Sequence, residues 1–208
     1  MVEARSLVTC FRVGHHTLNK IKKVSRLYGV KNTAKLWGIA NFKNYKLAKK
    51  IADAIVDFAL ENNVDVIAFE RLNIKGRIKG KNKEKLHMWK KNTIQNMVLH
   101  KAHRYKIHML RIRAYNTSRL AYDGSGCVLR GEDAGLPTSE LCQFTNGKIY
   151  NCDLSASYNI AARCLIRQIK YSSSKKMWLQ AVNNIKSLSN EKLCTYRSYL
   201  ELLNFAYT

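Results

Sequence analysis

The sequence is poor in acidic residues, in proline and in long apolar runs. It contains 14 Asp and Glu residues against 37 Lys and Arg, and its one proline is Pro137. No apolar stretch approaches the ~18 residues of a membrane span, which excludes a transmembrane helix. With so little proline, helices can run without interruption. None of the six cysteines forms a C-x-x-C pair and no signal peptide precedes them, so we expect reduced thiols in a soluble cytoplasmic protein.

The main feature of the composition is an excess of positive charge. The formal net charge is +23 over 208 residues, and 46% of the residues are hydrophobic. That hydrophobic fraction is enough to build a core, so the charge belongs on the surface. A surface this basic attracts polyanions, because each Lys or Arg that meets a phosphate releases a condensed counterion. We therefore expect a DNA or RNA partner and association with the nucleoid.

Apolar periodicity predicts alternating helices and strands in the first half of the chain. The predicted strands are residues 4–13, 64–70 and 107–115, and the predicted helices are 18–28, 44–62 and 84–105. The run 64–70 is short and apolar, as in a buried parallel strand. A helix followed by such a strand is typical of an α/β crossover, so the sequence predicts the α/β class.

The second half begins with a long segment that shows no periodicity. Residues 116–151 are rich in Gly, Ser, Asp and Thr and predict a loop insert before the last helix. A loop of this length in a compact domain is usually functional. A helix is predicted over 153–170, with Asp153 as its N-cap and an apolar face of Leu154, Tyr158, Ala161, Leu165 and Ile169. Residues 171–208 are predicted to form a basic helical tail.

Two acids lie where an α/β fold gathers chemistry. Glu70 ends the predicted strand 64–70, and Asp153 opens a helix after the insert. Active groups of α/β sheets lie beyond the carboxyl ends of strands, and converging carboxylates bind Mg²⁺ or Mn²⁺ for phosphodiester hydrolysis. The alternatives are a solvated strand end or an ion pair for Glu70, and a simple helix cap for Asp153.

Three motifs in the same order resemble the second half of TnpB (OrfB) proteins, which insertion sequences encode and which are relatives of the type V CRISPR effectors. The first is the strand end FERL with Glu70, and the second is K-A-x-x-x-x-I at 101–107 followed by Asn116-Thr117-Ser118. The third is D-x-x-A-x-x-N-I-A, which begins at Asp153 and includes Asn159. The resemblance covers roughly residues 40 to 170.

The resemblance implies a ribonuclease H-like (RuvC) domain over residues 1–170, with the insert at the position of a zinc-finger-like segment. It implies that Glu70 and Asp153 are the second and third RuvC acids, which bind Mg²⁺ or Mn²⁺ in a DNA endonuclease directed by a guide RNA. DNA and guide RNA would be the partners, held by their phosphates. We expect phosphate contacts from the basic residues Lys75, Arg77, Lys79, Lys81, Lys90, Lys91, Lys101, Arg104 and Arg119.

The chain departs from the family pattern in its first acid. The family has an Asp on its opening strand, whereas no acid occurs between Glu3 and Asp53, and Asp53 lies in a predicted helix. We therefore expect a domain incomplete at its N-terminal strands, as in a truncated gene product or in a split protein whose missing half is a separate chain. Two carboxylates without the third would bind metal loosely and would cleave DNA slowly or not at all. The alternatives are a nuclease-dead DNA- or RNA-binding protein and a non-functional fragment.

A second departure concerns zinc. Family members carry two C-x-x-C knuckles in the insert, but Ala121 and Gly124 occupy the first knuckle here and Thr145 interrupts the second. The cysteines that remain near the insert are Cys127, Cys142 and Cys152. Three thiols at irregular spacing form a poor tetrahedral site, so we do not expect zinc.

Overall fold

The computed structural model describes residues 18–71, 91–113 and 115–207. These residues fall into two compact units: the first contains residues 18–67 and 91–109, and the second contains residues 68–71, 110–113 and 115–207. They contain both helices and sheets, which confirms the mixed α/β class. No helix in these ranges is long and apolar enough to cross a membrane. The predicted strand 4–13 lies outside the described residues.

Helices dominate the first unit. Residues 18–28 are helical (α1), and α2 (Ala34–Glu61) and α3 (Lys91–Arg104) follow along the chain. The segment 34–43 lacks a regular apolar repeat, and for this reason the predicted helix 44–62 begins later than α2 does. At its other end α2 stops as predicted, because Asn63 adopts a left-handed φ of 51° and Val64 N donates to Ala59 O at 2.8 Å.

Small side chains form the contact between α2 and α3. The buried stripe of α2 is Ala48, Ala52, Val56 and Ala59, at the spacing of one helix face. On α3, Val98 and Ala102 are fully buried. Such small residues allow two helices to pack closely. An ion pair between Asp53 and Lys101 links the same two helices.

Two strands form a small sheet. They are β1 (Val66–Arg71) and β2 (His108–Arg113), and they are hydrogen-bonded neighbours. His108 N donates to Asp65 O at 2.9 Å, which joins the starts of the two strands, as in a parallel pair. The strands predicted at 64–70 and 107–115 are thereby confirmed.

The insert 116–151 is ordered, which corrects the prediction of a loop. It contains a three-stranded antiparallel sheet of β3 (Leu129–Arg130), β4 (Leu141–Gln143) and β5 (Ile149–Asn151). Strands of two or three residues are too short to show an alternating pattern, and the sequence therefore gave no sign of them. Their core consists of Ala121, Cys142, Phe144 and Cys152.

Three helices complete the second unit. They are α4 (Cys152–Ser172), α5 (Lys175–Asn184) and α6 (Tyr196–Tyr207). The shared core of these helices and the turns between them is Ile166, Ala181, Ile185, Leu188, Cys194 and Leu202. The segment predicted as a basic helical tail is thus helical and packs on α4 in the same compact unit.

The buried face of α4 differs from the predicted apolar face. Leu154, Tyr158 and Leu165 are 54%, 41% and 36% exposed. The buried face instead carries small and polar residues, namely Ser155, Ala156, Asn159, Ala162 and Arg163. Apolar periodicity failed here because hydrogen bonds from Asn159 and Arg163 satisfy these polar groups inside the fold.

Candidate active site

Asn151 begins the helix that carries Asp153. Its side chain accepts hydrogen bonds from Asp153 N at 2.9 Å and Leu154 N at 3.0 Å. Asn151 is therefore the N-cap of α4, and the prediction that Asp153 is the cap was wrong. Asp153 lies in the first turn and is exposed. Because Asn151 caps the helix, the Asp153 carboxylate is not needed as a cap and can bind a ligand.

Glu70 is positioned by a threonine from the second motif. It is the next-to-last residue of β1 and is half-buried. Thr117 Oγ1 donates a 2.5 Å hydrogen bond to Glu70 Oε1. Thr117 is itself buried in a turn. In this turn Asn116 has a φ of 61°, and the Asn116 carbonyl accepts hydrogen bonds from the amides of Arg119 and Leu120. The Glu70 carboxylate is therefore held by a rigid partner.

Asn159 connects this turn to α4. Its Nδ2 donates to the carbonyl oxygens of Thr117, at 3.0 Å, and Leu120, at 2.8 Å. Its Oδ1 accepts a 3.1 Å hydrogen bond from Tyr196 N. The residue is fully buried, so these three bonds satisfy nearly all of its polar capacity. Asp153 precedes Asn159 by six residues on the same helix, about 9 Å along the axis at 1.5 Å per residue.

Sequence reasoning missed Arg163, one helical turn after Asn159. Its guanidinium donates to the carbonyl oxygens of Cys194 (3.0 Å), Tyr115 (2.6 Å), Arg113 (3.3 Å) and Lys192 (3.0 Å). Burial lowers the pKa of Arg163 below its ordinary value. The available signal was the i, i+4 spacing from Asn159 on a face of small residues, which marks a helix side that is buried despite its polarity.

A polar and aromatic group in the insert was also missed. Asp123 accepts from Ser125 N and Asn146 Nδ2, each at 3.0 Å. Burial alone would raise the pKa of Asp123, but these hydrogen bonds and nearby Lys148 hold it below its usual value. Tyr122 packs against Tyr150 and Tyr158 with ring centroids 5.3 and 5.0 Å apart. This packing places Tyr122 and Tyr150 against the core of the insert.

The predicted phosphate-contacting residues have several locations. Lys75, Arg77, Lys79, Lys81 and Lys90 lie outside the described residues, and Lys91 is the first residue of α3. Arg104 and Arg119 are exposed. Lys101 forms an ion pair with Asp53, so its ammonium group already has an anionic partner.

The cysteines near the insert have different environments. Cys127 is exposed, whereas Cys142 and Cys152 are buried. Burial and the adjacent Cys152 thiol raise the pKa of Cys142 to about 11. Within the described ranges, no group of three or more His, Cys, Asp or Glu side chains could hold a metal ion. The absence of zinc stays a prediction.

Comparison with known proteins shows a likeness to a solved structure. No protein-family model matches the chain, and no curated protein matches it. Among solved structures, the chain is similar to Cas12f1 in the cryo-EM structure of the Cas12f1-sgRNA-target DNA complex, with a TM-score of 0.54 and 19% sequence identity. The match covers 72% of this chain and 41% of the Cas12f1 chain. The chain thus shares a fold with about two fifths of Cas12f1.

Proposed function

We propose that this chain is a nucleic-acid-binding protein of the TnpB-like, RuvC type, in which Glu70 and Asp153 hold Mg²⁺ or Mn²⁺ for hydrolysis of DNA directed by a guide RNA. The proposal depends mainly on the hydrogen-bonded link from Glu70 through Thr117 to Asn159. These residues come from three motifs far apart in sequence, and the family resemblance predicts that such motifs converge. The likeness to Cas12f1, solved with sgRNA and target DNA, supports a role in nucleic-acid binding.

The donor chemistry of the two acids fits a hard divalent cation. Magnesium prefers carboxylate oxygens and retains several waters, so it needs only one or two protein carboxylates beside the phosphate oxygens. Asp153 is exposed, and its carboxylate accepts no hydrogen bond from any residue that the structure describes. Glu70 would be the second ligand. A bound ion would supply stabilisation of the charge that develops on the phosphate.

The residues around these acids would orient them. Thr117 holds one carboxylate oxygen of Glu70. The other oxygen is therefore oriented before a metal ion binds, which reduces the entropic cost of metal binding. Asp153 lies in the first turn of α4, whose helix dipole favours a negative charge at that position. Exposed Arg119, two residues after Thr117, would hold a phosphate of the bound strand.

A cleavage assay tests this proposal. The full chain is purified with its bound RNA, and DNA cleavage and Mn²⁺ binding are measured for wild type, Glu70→Gln and Asp153→Asn. Each substitution should abolish cleavage and weaken Mn²⁺ binding at least tenfold, because a neutral amide is a poor ligand for a hard cation. DNA binding should change little, since it depends on the basic surface.

Matched controls are Glu132→Gln and Asp133→Asn, exposed acids in the insert. These variants should behave like wild type. Cleavage that survives both Glu70→Gln and Asp153→Asn would overturn the assignment. Binding of DNA or RNA without cleavage by the wild-type chain would support the nuclease-dead alternative.

A further inference from the structure

A basic cavity lies in the second unit, apart from the residues assigned above to the metal. Its volume is about 500 Å³. One carboxylate, that of Glu191, lines it, together with buried Arg163 and six further cations. These six are Arg71, Arg111, Arg113, Arg167, Lys170 and Lys192. Like charges gathered around one cavity repel each other and create a strong positive potential, which an anionic ligand would neutralise.

The cavity and Glu70 belong to opposite faces of β1. Arg71 lines the cavity and directly follows Glu70, and successive side chains of a strand point to opposite faces. On β2, Arg111 and Arg113 both line the cavity, as expected for residues two apart. Glu70, Thr117 and Asp153 do not line the cavity, and an inference about it does not rest on the proposed nuclease activity.

Arg163 fixes the walls of the cavity. It is 2% exposed. Its guanidinium joins the end of β2, through the carbonyls of Arg113 and Tyr115, to the segment that contains Lys192 and Cys194. Because these bonds occupy four of its five N–H donors, Arg163 serves the scaffold and leaves ligand binding to the other cations. The walls are thus organised before a ligand arrives, which lowers the entropic cost of binding.

Aromatic rings accompany the cations. Lys192 lies 4.5 Å from the ring centroid of Tyr115, Arg167 lies 5.7 Å from that of Tyr171, and Lys170 lies 5.4 Å from that of Trp178. Tyr115 and Tyr171 are 57% and 75% exposed. Cations that hold phosphate beside exposed rings that stack on bases are the combination found in single-strand nucleic-acid sites. A peptide that is recognised only by its acidic side chains would gain nothing from base stacking on these rings.

The shape and charge of the cavity indicate the size of its ligand. A volume of about 500 Å³ is in the range of pockets for small organic ligands. A duplex backbone, in contrast, needs an extended surface. We propose that this cavity binds one nucleotide that carries several phosphates, either the 5′-triphosphorylated end of an RNA strand or a free nucleoside triphosphate. The base stacks on Tyr171 or Tyr115, and the phosphates contact Arg167, Lys170 and Lys192.

Equilibrium binding to the full chain tests this site. The probes are ATP, AMP, inorganic tripolyphosphate, and a short single-stranded RNA with a 5′-triphosphate or a 5′-hydroxyl. ATP should bind at least tenfold more tightly than AMP, because more phosphates meet the cations. It should also bind more tightly than tripolyphosphate, because the base adds stacking. Equal affinity for ATP and AMP, or for ATP and tripolyphosphate, would overturn the proposal.

Paired variants separate a built site from general attraction to a basic protein. The double variant Arg167→Gln/Lys170→Gln should weaken ATP binding at least tenfold. The matched control Arg26→Gln/Lys176→Gln removes two exposed cations outside the cavity and should change ATP binding less than twofold. Equal losses in both variants would overturn the site. Circular dichroism checks that each variant is folded.

The RNA probes identify the source of the nucleotide. Tighter binding of the 5′-triphosphorylated RNA than of both ATP and the 5′-hydroxyl RNA would assign the cavity to an RNA end. Binding of ATP at least as tight as that of either RNA would assign it to a free nucleotide. Tyr171→Ala should weaken the preferred nucleotide at least threefold and leave tripolyphosphate binding unchanged, and a loss of both to the same degree would contradict base stacking.

Discussion

The hydroxyl of Thr117 donates a 2.5 Å hydrogen bond to Oε1 of Glu70, across 47 residues of sequence. Thr117 is 1% exposed, so this hydroxyl has little access to water. The bond ties the strand that carries Glu70 to the turn that follows β2. Because Asn159 holds the carbonyl of the same threonine, the position of Glu70 depends on α4 as well.

Thr117→Val removes the hydroxyl and keeps the shape of the side chain. A hydrogen bond to a charged group contributes about 1.5–3 kcal/mol, so we expect the free energy of unfolding to fall by that order. Thr117→Ser keeps the hydroxyl and loses one methyl group, at a cost of about 1 kcal/mol. Urea unfolding measures both. A Thr117→Val variant as stable as wild type, beside a destabilised Thr117→Ser variant, would show that packing matters at this position and the bond to Glu70 does not.

Asn159→Ala should be among the most damaging substitutions on α4. It leaves the carbonyls of Thr117 and Leu120 and the amide of Tyr196 without their partner. Unsatisfied buried groups cost about 1–3 kcal/mol each, so we expect a loss of about 3 kcal/mol or more in urea unfolding. Asn184→Ala, at an exposed position of α5, should stay within about 0.5 kcal/mol of wild type. A similar small effect of Asn159→Ala would contradict this role.

The sequence predicted the elements with a clear period or an apolar run. The strands predicted over 64–70 and 107–115 are β1 and β2, and α2 ends within one residue of the predicted end at 62. Along α2, however, the buried stripe runs through Ala48, Ala52 and Ala59, which a search for large apolar residues passes over. Small residues are buried there because α3 packs closely against α2. The sequence of α2 alone does not show how closely its partner helix packs.

The candidate site was predicted as two acids, and the structure adds the residues that support them. Asn159 was part of a recognised motif without a role, and Arg163 was absent from the prediction. Both are polar residues on a buried helix face, and their burial is favourable only because backbone carbonyls distant in sequence meet them. Periodicity describes one helix at a time and carries no information about such partners.

Lys101 and Arg104 should differ in their effect on nucleic-acid binding. The Lys101 ammonium is paired with Asp53, whereas Arg104 is exposed at the end of α3. If Arg104 contacts a phosphate, Arg104→Gln reduces the slope of log affinity against log salt by about 0.9 for duplex DNA. Lys101→Gln should change that slope much less and should destabilise the fold by about 0.5–1 kcal/mol. Salt titrations and urea unfolding measure the two effects, and a larger change of slope for Lys101→Gln would refute the assignment.

Asp123 should make the insert sensitive to acid. Its folded-state pKa lies below the ordinary value of 3.8, so its contribution to stability is fully present above about pH 4 and is lost as the pH falls through the lowered pKa. Asp123→Asn removes the charge, and the difference in unfolding free energy between wild type and this variant should be constant from about pH 7 to 5 and shrink below pH 4. The Ser125 amide, which donates to Asp123, should exchange with solvent faster in the variant. A difference that grows on acidification would contradict the lowered pKa.

The cysteines should react in an order set by exposure and pKa. Cys127 is exposed, whereas burial raises the pKa of both Cys142 and Cys194 to about 11. The thiolate is the reactive form, and at pH 8 a thiol with that pKa is ionised to about one part in a thousand. Iodoacetamide should therefore alkylate Cys127 before the other cysteines that the structure describes, and Cys142 and Cys194 should react at comparable rates only after unfolding in urea. Mass spectrometry of the peptides assigns each site, and Cys127→Ser provides the control by removing the fast label. Alkylation of Cys142 at the rate of Cys127 in the folded chain would show that the insert opens readily, because the thiol is otherwise enclosed by the core of the small sheet.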